Sequence, residues 1–153
     1  MNEKKTSLAV AALRGGTVID HIPSEALFRV AHILGIENMT NAVTIGYNLP
    51  SARGARKGII KVDGVEFDHQ TLNRIAVIAP TATVNIIRAY EVVSKHPVEL
   101  PDTLIGIVKC PNPKCITNNE PMATRFDVSE HDKPTLRCHY CNHTVAGADA
   151  EII

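Results

Sequence analysis

The chain has 153 residues, with 44% apolar side chains, three Phe, three Tyr and no Trp, so a core must be built from Ile, Val, Leu and Ala. Its 16 basic and 16 acidic residues cancel, and no apolar run approaches the length of a membrane-crossing helix. Residues 1–100 carry eleven Lys/Arg against nine Asp/Glu, about +2, and residues 101–153 five against seven, about −2; that sign argues against the second part wrapping nucleic acid, which needs clustered basic charge.

Met1–Ser7 is polar and expected to be loose. Leu8–Leu13 reads as a short strand, Gly15-Gly16 as a turn, and Thr17–Ile22 as a β-branched strand ending at Pro23. Ser24 is the expected N-cap of a first helix, in which Leu27, Val30, Ala31 and Leu34 repeat at i, i+3, i+4, i+7 and Gly35 sits at the C-cap position. Ala42–Leu49 and Ile59–Val62 read as strands, with Ser51–Gly58 a small, polar, basic loop between them and Asp63-Gly64 a turn. Asp68 is placed to cap a second helix carrying Leu72, Ile75, Ala76 and Ala79, stopped by Pro80. Thr83–Lys95 is rich in β-branched residues and reads as one central strand. His96–Asp102, with Pro97 and Pro101, reads as a stiff linker. The expected order is β-β-α-β-β-α-β: an α+β, ferredoxin-like antiparallel sheet with two helices over residues 1–98, then a small β module over 99–153. No charged-then-apolar leader is visible, so the expectation is a soluble, cytoplasmic protein.

All four cysteines lie in the second part, as Cys110-Pro-Asn-Pro-Lys-Cys115 and Cys138-His-Tyr-Cys141. Two such close pairs can set four sulfurs tetrahedrally around one ion, and thiolate softness favours Zn²⁺ over Mg²⁺ or Ca²⁺. Two disulfides, an iron site of the rubredoxin type and a redox CxxC are the alternatives. A closed four-thiolate shell leaves no open position for substrate, which makes the metal structural, and in a segment with few large apolar residues the ion supplies much of the folding free energy.

In the first part, Asp20-His21 ends a strand, Lys61 interrupts an apolar one and Lys95 closes another. If these ends meet, Lys and His suit phosphate oxygens and Asp suits ribose hydroxyls; solvated lysines and a satisfied Asp-His pair are the bland alternative. No P-loop or G-x-G-x-x-G is present, and the remaining histidines fall in no recognisable acid–base arrangement.

Several stretches together resemble the regulatory chain of aspartate carbamoyltransferase: Arg14-Gly-Gly-Thr-Val-Ile-Asp-His-Ile-Pro23, Thr44-Ile-Gly-Tyr-Asn-Leu-Pro50, Ala79-Pro-Thr-Ala-Thr-Val-Asn85, Tyr90-Glu-Val-Val93 and the two cysteine knuckles. The likeness implies a non-catalytic subunit acting in pyrimidine biosynthesis, with an N-terminal allosteric domain that binds CTP as inhibitor and ATP as activator. A zinc-ribbon or rubredoxin-like domain would dock on the catalytic chain. It further implies regulatory homodimers, three of which hold two catalytic trimers in a dodecamer. Carried over by position, Asp20 and Lys61 would hold the ribose, and His21 and Lys95 the triphosphate. Val10, Ala12, Leu13, Ile59, Asn85, Ile87, Tyr90 and Val92 would line the pocket, and Cys110, Cys115, Cys138 and Cys141 would hold zinc. Asn112 and Tyr140–His143 would meet the catalytic chain. The sequence departs from the family pattern at Ser7, where a Lys is expected, at Ala11, where a Glu is expected, and at Asn142, where an acid is expected; the first two bear on a joint response to CTP and UTP. The rival readings are a zinc ribbon that binds nucleic acid, against which the acidic balance and sparse aromatics count, and a free-standing enzyme, for which no nucleophile or base is evident.

Overall fold

The computed structural model describes residues 14–52 and 54–153. The expected strand Leu8–Leu13, and with it Val10, Ala12 and Leu13, lies outside the described residues.

The first part is a five-stranded antiparallel sheet in the order β2-β3-β1-β4-β5, built from β1 (Gly16–Pro23), β2 (Val43–Pro50), β3 (Arg56–Asp63), β4 (Thr83–Arg88) and β5 (Glu91–Pro97). Helices α1 (Leu27–Leu34) and α2 (His69–Ile78) make the crossovers. β1 to β4 with their two helices have the ferredoxin-like order, and β5 is an added edge. The stretch Thr83–Lys95 corrects the reading of a single central strand. It is a hairpin, turning at Ala89 and Tyr90, whose φ values are 50° and 67°. β1 holds the centre instead, with Val18, Ile19 and Ile22 essentially unexposed.

α1 buries Leu27, Val30 and Leu34, as the 3.6 period requires, and ends at Gly35 in the left-handed region with φ 73°. The Ser24 cap is not formed: Pro23 leads into a 3₁₀ turn over Ser24–Ala26, and α1 starts one turn later without a side-chain cap. At α2 the expected cap forms, Thr71 N–H donating to Asp68 Oδ1 at 2.8 Å. That backbone hydrogen bond, first among its causes, holds the Asp68 carboxyl below its ordinary range. A carboxyl depressed on folding stabilises above its unfolded pKa, and the contribution fades as pH falls through the folded value. Asp68→Ala should therefore lower the melting temperature by a few degrees at neutral pH and leave it nearly unchanged in strong acid, as read by circular dichroism melts.

The second part is a four-stranded antiparallel sheet in the order β10-β9-β8-β6 and a two-stranded ribbon β11-β7, formed by β6 (Thr103–Ile105), β7 (Val108–Lys109), β8 (Arg125–Ser129), β9 (Thr135–Cys138), β10 (Thr144–Ala146) and β11 (Glu151–Ile152). β7 to β9 and their connections carry the cysteines to one place. One hydrophobic cluster runs through both parts: Ile19, Ile60, Val77, Ile78 and Val84 belong with Val98, Ile107, Val108, Phe126 and Leu136. The expected linker is thus partly inside: Val98 is buried and its N–H donates to the Ala82 carbonyl at 3.0 Å.

Candidate functional site

The four cysteine sulfurs all lie within 4.8 Å of one another. Sulfurs held about 2.3 Å from a tetrahedral ion stand about 3.8 Å apart. Here Cys110 and Cys141 are separated by 3.6 Å and Cys115 and Cys138 by 3.7 Å, each pair joining one knuckle to the other. All four thiols are free, so the disulfide alternative is not realised. Cys110, Cys115 and Cys138 are buried and Cys141 half-buried, which matches a closed shell with one ligand toward solvent.

The knuckles are held by amides that sequence reading passed over. Asn118 Nδ2 donates to the carbonyls of Cys110 at 2.9 Å and Asn112 at 2.8 Å. Asn119 Nδ2 donates to the carbonyls of Cys115 at 2.9 Å and Pro113 at 3.2 Å. Thr117 Oγ1 lies 3.2 Å from Cys115 Sγ, placed to donate to a thiolate. In the second knuckle, Cys138 N–H donates to the His143 carbonyl at 2.8 Å, and Asn142 N–H to the Cys138 carbonyl at 2.9 Å. Asn142 has φ 63°, a conformation that asparagine tolerates better than most residues. The available signal was a pair of adjacent asparagines just after a ligand, where turn chemistry is dense.

Burial pushes the Cys110 thiol up to about 12, and raises Cys138 for the same reason. Cys141 is also pushed up by burial, but hydrogen bonds from the His143 backbone, Asn112 and the neighbouring cysteines outweigh this and bring it down to about 7. Four thiolates this close repel one another, and only a bound cation lets all four ionise; the donor set therefore fits a soft divalent metal and binding releases protons.

The polar residues of the first part converge on the sheet face opposite the helices. Antiparallel partners directly across from each other share a face. Lys61, Val18, Asn85 and Lys95 stand in one such row across β3, β1, β4 and β5. The adjacent row, Ile60, Ile19, Val84 and His96, has its first three side chains in the core on the helix side. Two residues along from the polar row lie Ile59 and Ile87, which pack with Val18 in a small separate cluster. Val92 sits opposite Ile87, and Tyr90 is 57% exposed at the hairpin tip.

Asp20 and His21 occupy a β-bulge, where three steps of β1 from Ile19 to Ile22 face two steps of β3. His21 has φ 56°, and bulges of this kind re-aim side chains beside functional sites. Asp20 is only 8% exposed and pairs with Lys57, Nζ to Oδ1, at 2.9 Å. The same Oδ1 accepts the His21 N–H at 2.6 Å, while Oδ2 lies 3.9 Å from His21 Nε2. Lys57 was missed because it falls in a stretch that reads as a basic loop; β3 begins at Arg56, and Lys57, Ile59 and Lys61 alternate along one face. The structure thus brings Asp20, Ile59, Lys61, Asn85, Ile87, Val92 and Lys95 to one face, with His21 in the bulge next to Asp20, and pairs Asp20 with Lys57.

Fold and site together define a class: an α+β sandwich with a polar row on its helix-free face, joined to a zinc-ribbon-like module closed around four cysteines. The family model described as aspartate carbamoyltransferase regulatory chain, allosteric domain, matches residues 8–99, and that of the metal binding domain of the same chain matches residues 102–151. Aspartate carbamoyltransferase regulatory chains of Bacteroides fragilis (55% identical, all of both chains covered), Bacteroides thetaiotaomicron (57% identical, 92% of each) and Pyrococcus horikoshii (47% identical, 90% of this chain and 92% of the other) are similar over nearly the full length. The chain belongs to the family of aspartate carbamoyltransferase regulatory chains, and is a regulatory rather than a catalytic subunit.

Proposed function

We propose that this chain binds nucleoside triphosphates on the helix-free face of its sheet, with CTP inhibiting and ATP activating, and passes their occupancy to catalytic chains of aspartate carbamoyltransferase in cytoplasmic pyrimidine biosynthesis. The observation that carries this reading is the in-register row of Lys61, Asn85 and Lys95 beside the Asp20-His21 bulge. Lys95 and His21 take the triphosphate, Lys61 and Asp20 the ribose, and Ile59, Ile87, Tyr90 and Val92 the base and sugar. In the family pattern Val10, Ala12 and Leu13 complete the pocket. Lys57 and the His21 N–H engage Asp20 Oδ1, and a ribose hydroxyl would donate to Oδ2, which lies 3.9 Å from His21 Nε2.

The allosteric domain is residues 1–98 and the metal domain 99–153. The ion is one structural Zn²⁺, held by Cys110, Cys115, Cys138 and Cys141. The knuckles then dock on the catalytic chain, which the exposure of Ile116 (50%) and Tyr140 (45%) beside two of the ligands supports. Homodimers form through the first part: Phe28 and Tyr47 are exposed, their rings tilted by 43° with centroids 5.3 Å apart at the β2 edge, an apolar surface of the kind that a second copy covers. The assembly is a dodecamer of two catalytic trimers and three regulatory dimers.

Lys95→Ala tests the site. Calorimetric titration of the assembled complex should show CTP and ATP weakened alike, each by roughly tenfold to a hundredfold, because a charged hydrogen bond to the shared phosphates is lost. Unchanged affinity for both nucleotides would place the pocket elsewhere.

A further inference from the structure

The four cysteines are not held alike. Cys110 and Cys115 share a loop stiffened by Pro111 and Pro113 and closed by Cys115 N–H, which donates to the Asn112 carbonyl at 3.0 Å. The 3₁₀ turn Ile116–Asn118 follows directly. It sends the Asn118 amide back to the carbonyls of Cys110 and Asn112, and the Asn119 amide just beyond it reaches those of Pro113 and Cys115. Four side-chain hydrogen bonds thus cross one short loop. Cys138 is fixed differently, as the last residue of β9. It stands across from Phe126 of β8, and the next N–H, that of His139, donates to the Arg125 carbonyl at 2.9 Å. Cys110, Cys115 and Cys138 are 1%, 1% and 0% exposed.

Cys141 differs in each respect. It is half-buried and stands past the end of β9. Its turn is closed by backbone bonds, Cys138 N–H to the His143 carbonyl and Asn142 N–H to the Cys138 carbonyl. Among the described residues no side chain braces that turn as the two asparagines brace the first knuckle. The amide that does reach Cys141, from Asn112, meets its sulfur and not its backbone. A four-sulfur shell opens one ligand at a time, and a ligand can leave only if its sulfur has somewhere to go. Cys110, Cys115 and Cys138 would have to break the brace or the strand pairing. Cys141 needs only to turn its own side chain toward solvent.

We infer that Cys110, Cys115 and Cys138 form a fixed three-sulfur seat, that Asn118 and Asn119 set its first two members, and that Cys141 is the gate: the last sulfur to engage when the metal is loaded and the first to let go when it is lost. This rests on the metal reading of the four cysteines. Asn118 and Asn119 donate to carbonyls and not to sulfur, so they are positioning residues; outer partners of metal ligands carry about tenfold to a hundredfold in affinity. Thiol attack follows access, so the gate sulfur is also the first that an electrophile meets.

The test uses the full chain loaded with Zn²⁺. Iodoacetamide is added in limiting amount, and the modified cysteines are identified by peptide mass. Metal release to an excess of a chromogenic chelator is timed alongside. The first adduct should form at Cys141, favoured by about tenfold or more over each of the other three. Asn118→Ala with Asn119→Ala should speed release by about tenfold or more, and should raise modification of Cys110 and Cys115 while leaving Cys138 as it was. Cys141→Ser should still take up Zn²⁺, with affinity lowered by about a hundredfold or more, beyond what an outer partner carries, whereas Cys115→Ser should hold none. A first adduct at Cys110, Cys115 or Cys138 would overturn the gate. Release from the double asparagine variant at the wild-type rate, or an equal rise at Cys138, would overturn the brace. Equal loss of metal from Cys141→Ser and Cys115→Ser would overturn the three-sulfur seat. A wild-type chain that takes up no Zn²⁺ would overturn the metal reading, and this inference with it.

Discussion

Cys115→Ser should release the metal and leave residues 103–152 without a fixed fold. Structural four-cysteine sites bind with about 10–16 kcal/mol, all of which counts toward folding when the unfolded chain has no preformed site, whereas the apolar packing of so small a module supplies only a few kcal/mol, even though its interior continues into that of the first part. Cys115 is 1% exposed and lies 3.7 Å from Cys138 on the opposite knuckle. A serine there puts a poor, protonated ligand inside the shell and removes the sulfur toward which Thr117 Oγ1 is placed to donate. The expected measurements are metal content near zero by atomic absorption, loss of the β signal from the second part in circular dichroism, and no co-elution with the catalytic chain. Wild-type chain treated with a strong chelator should behave likewise, and return on adding Zn²⁺. A metal-free chain that keeps its module folded and still assembles would refute the structural role of the ion.

Phe126→Ala should be the most damaging single truncation away from the metal. Phe126 is fully buried, the largest such side chain among the described residues, and stands directly across from Cys138 in the β8–β9 pair. Emptying such a site costs about 3–5 kcal/mol, which for a chain of this size lowers the melting temperature by roughly 10 °C. Because Phe126 stands directly across from the ligand Cys138, metal affinity should fall as well, measured by competition with a chromogenic chelator. Phe126→Leu should retain most of both. Equal stability for Phe126→Ala and wild type would mean that the module is organised by its metal alone.

The metal centre was legible because its chemistry is local: each knuckle is a few residues long, and the spacing of the cysteines alone implies convergence. The polar face was legible only in part. Residue types marked Asp20, His21, Lys61 and Lys95, but which strand lies beside which is a property of the sheet, and the row that unites Lys61 with Lys95 appears only once β1 and β4 stand between them. The hairpin at Ala89-Tyr90 left no trace, since neither residue is a usual turn former and the flanking β-branched run reads as continuous. Its left-handed pair is maintained by tertiary contact, including the Tyr90 N–H donated to the Arg14 carbonyl at 2.9 Å. Lys57 and the start of β3 were hidden for the opposite reason: Arg56-Lys57-Gly58 lacks apolar residues, yet Gly58 is buried because Leu27 of α1 lies on it. Local propensity yields there to a contact made far along the chain.

The hydrophobic interior that passes without a break from Ile19 and Val77 to Ile107 and Leu136 has a practical corollary. Cut at the proline-rich connection, the polypeptide would yield two fragments, each with a raw greasy flank where the other half had been. Neither piece should stay dispersed when produced alone, yet the two mixed at equal concentration should find each other and restore a native-like particle. Whoever dissects this chain will obtain cleaner samples by co-expression than by truncation.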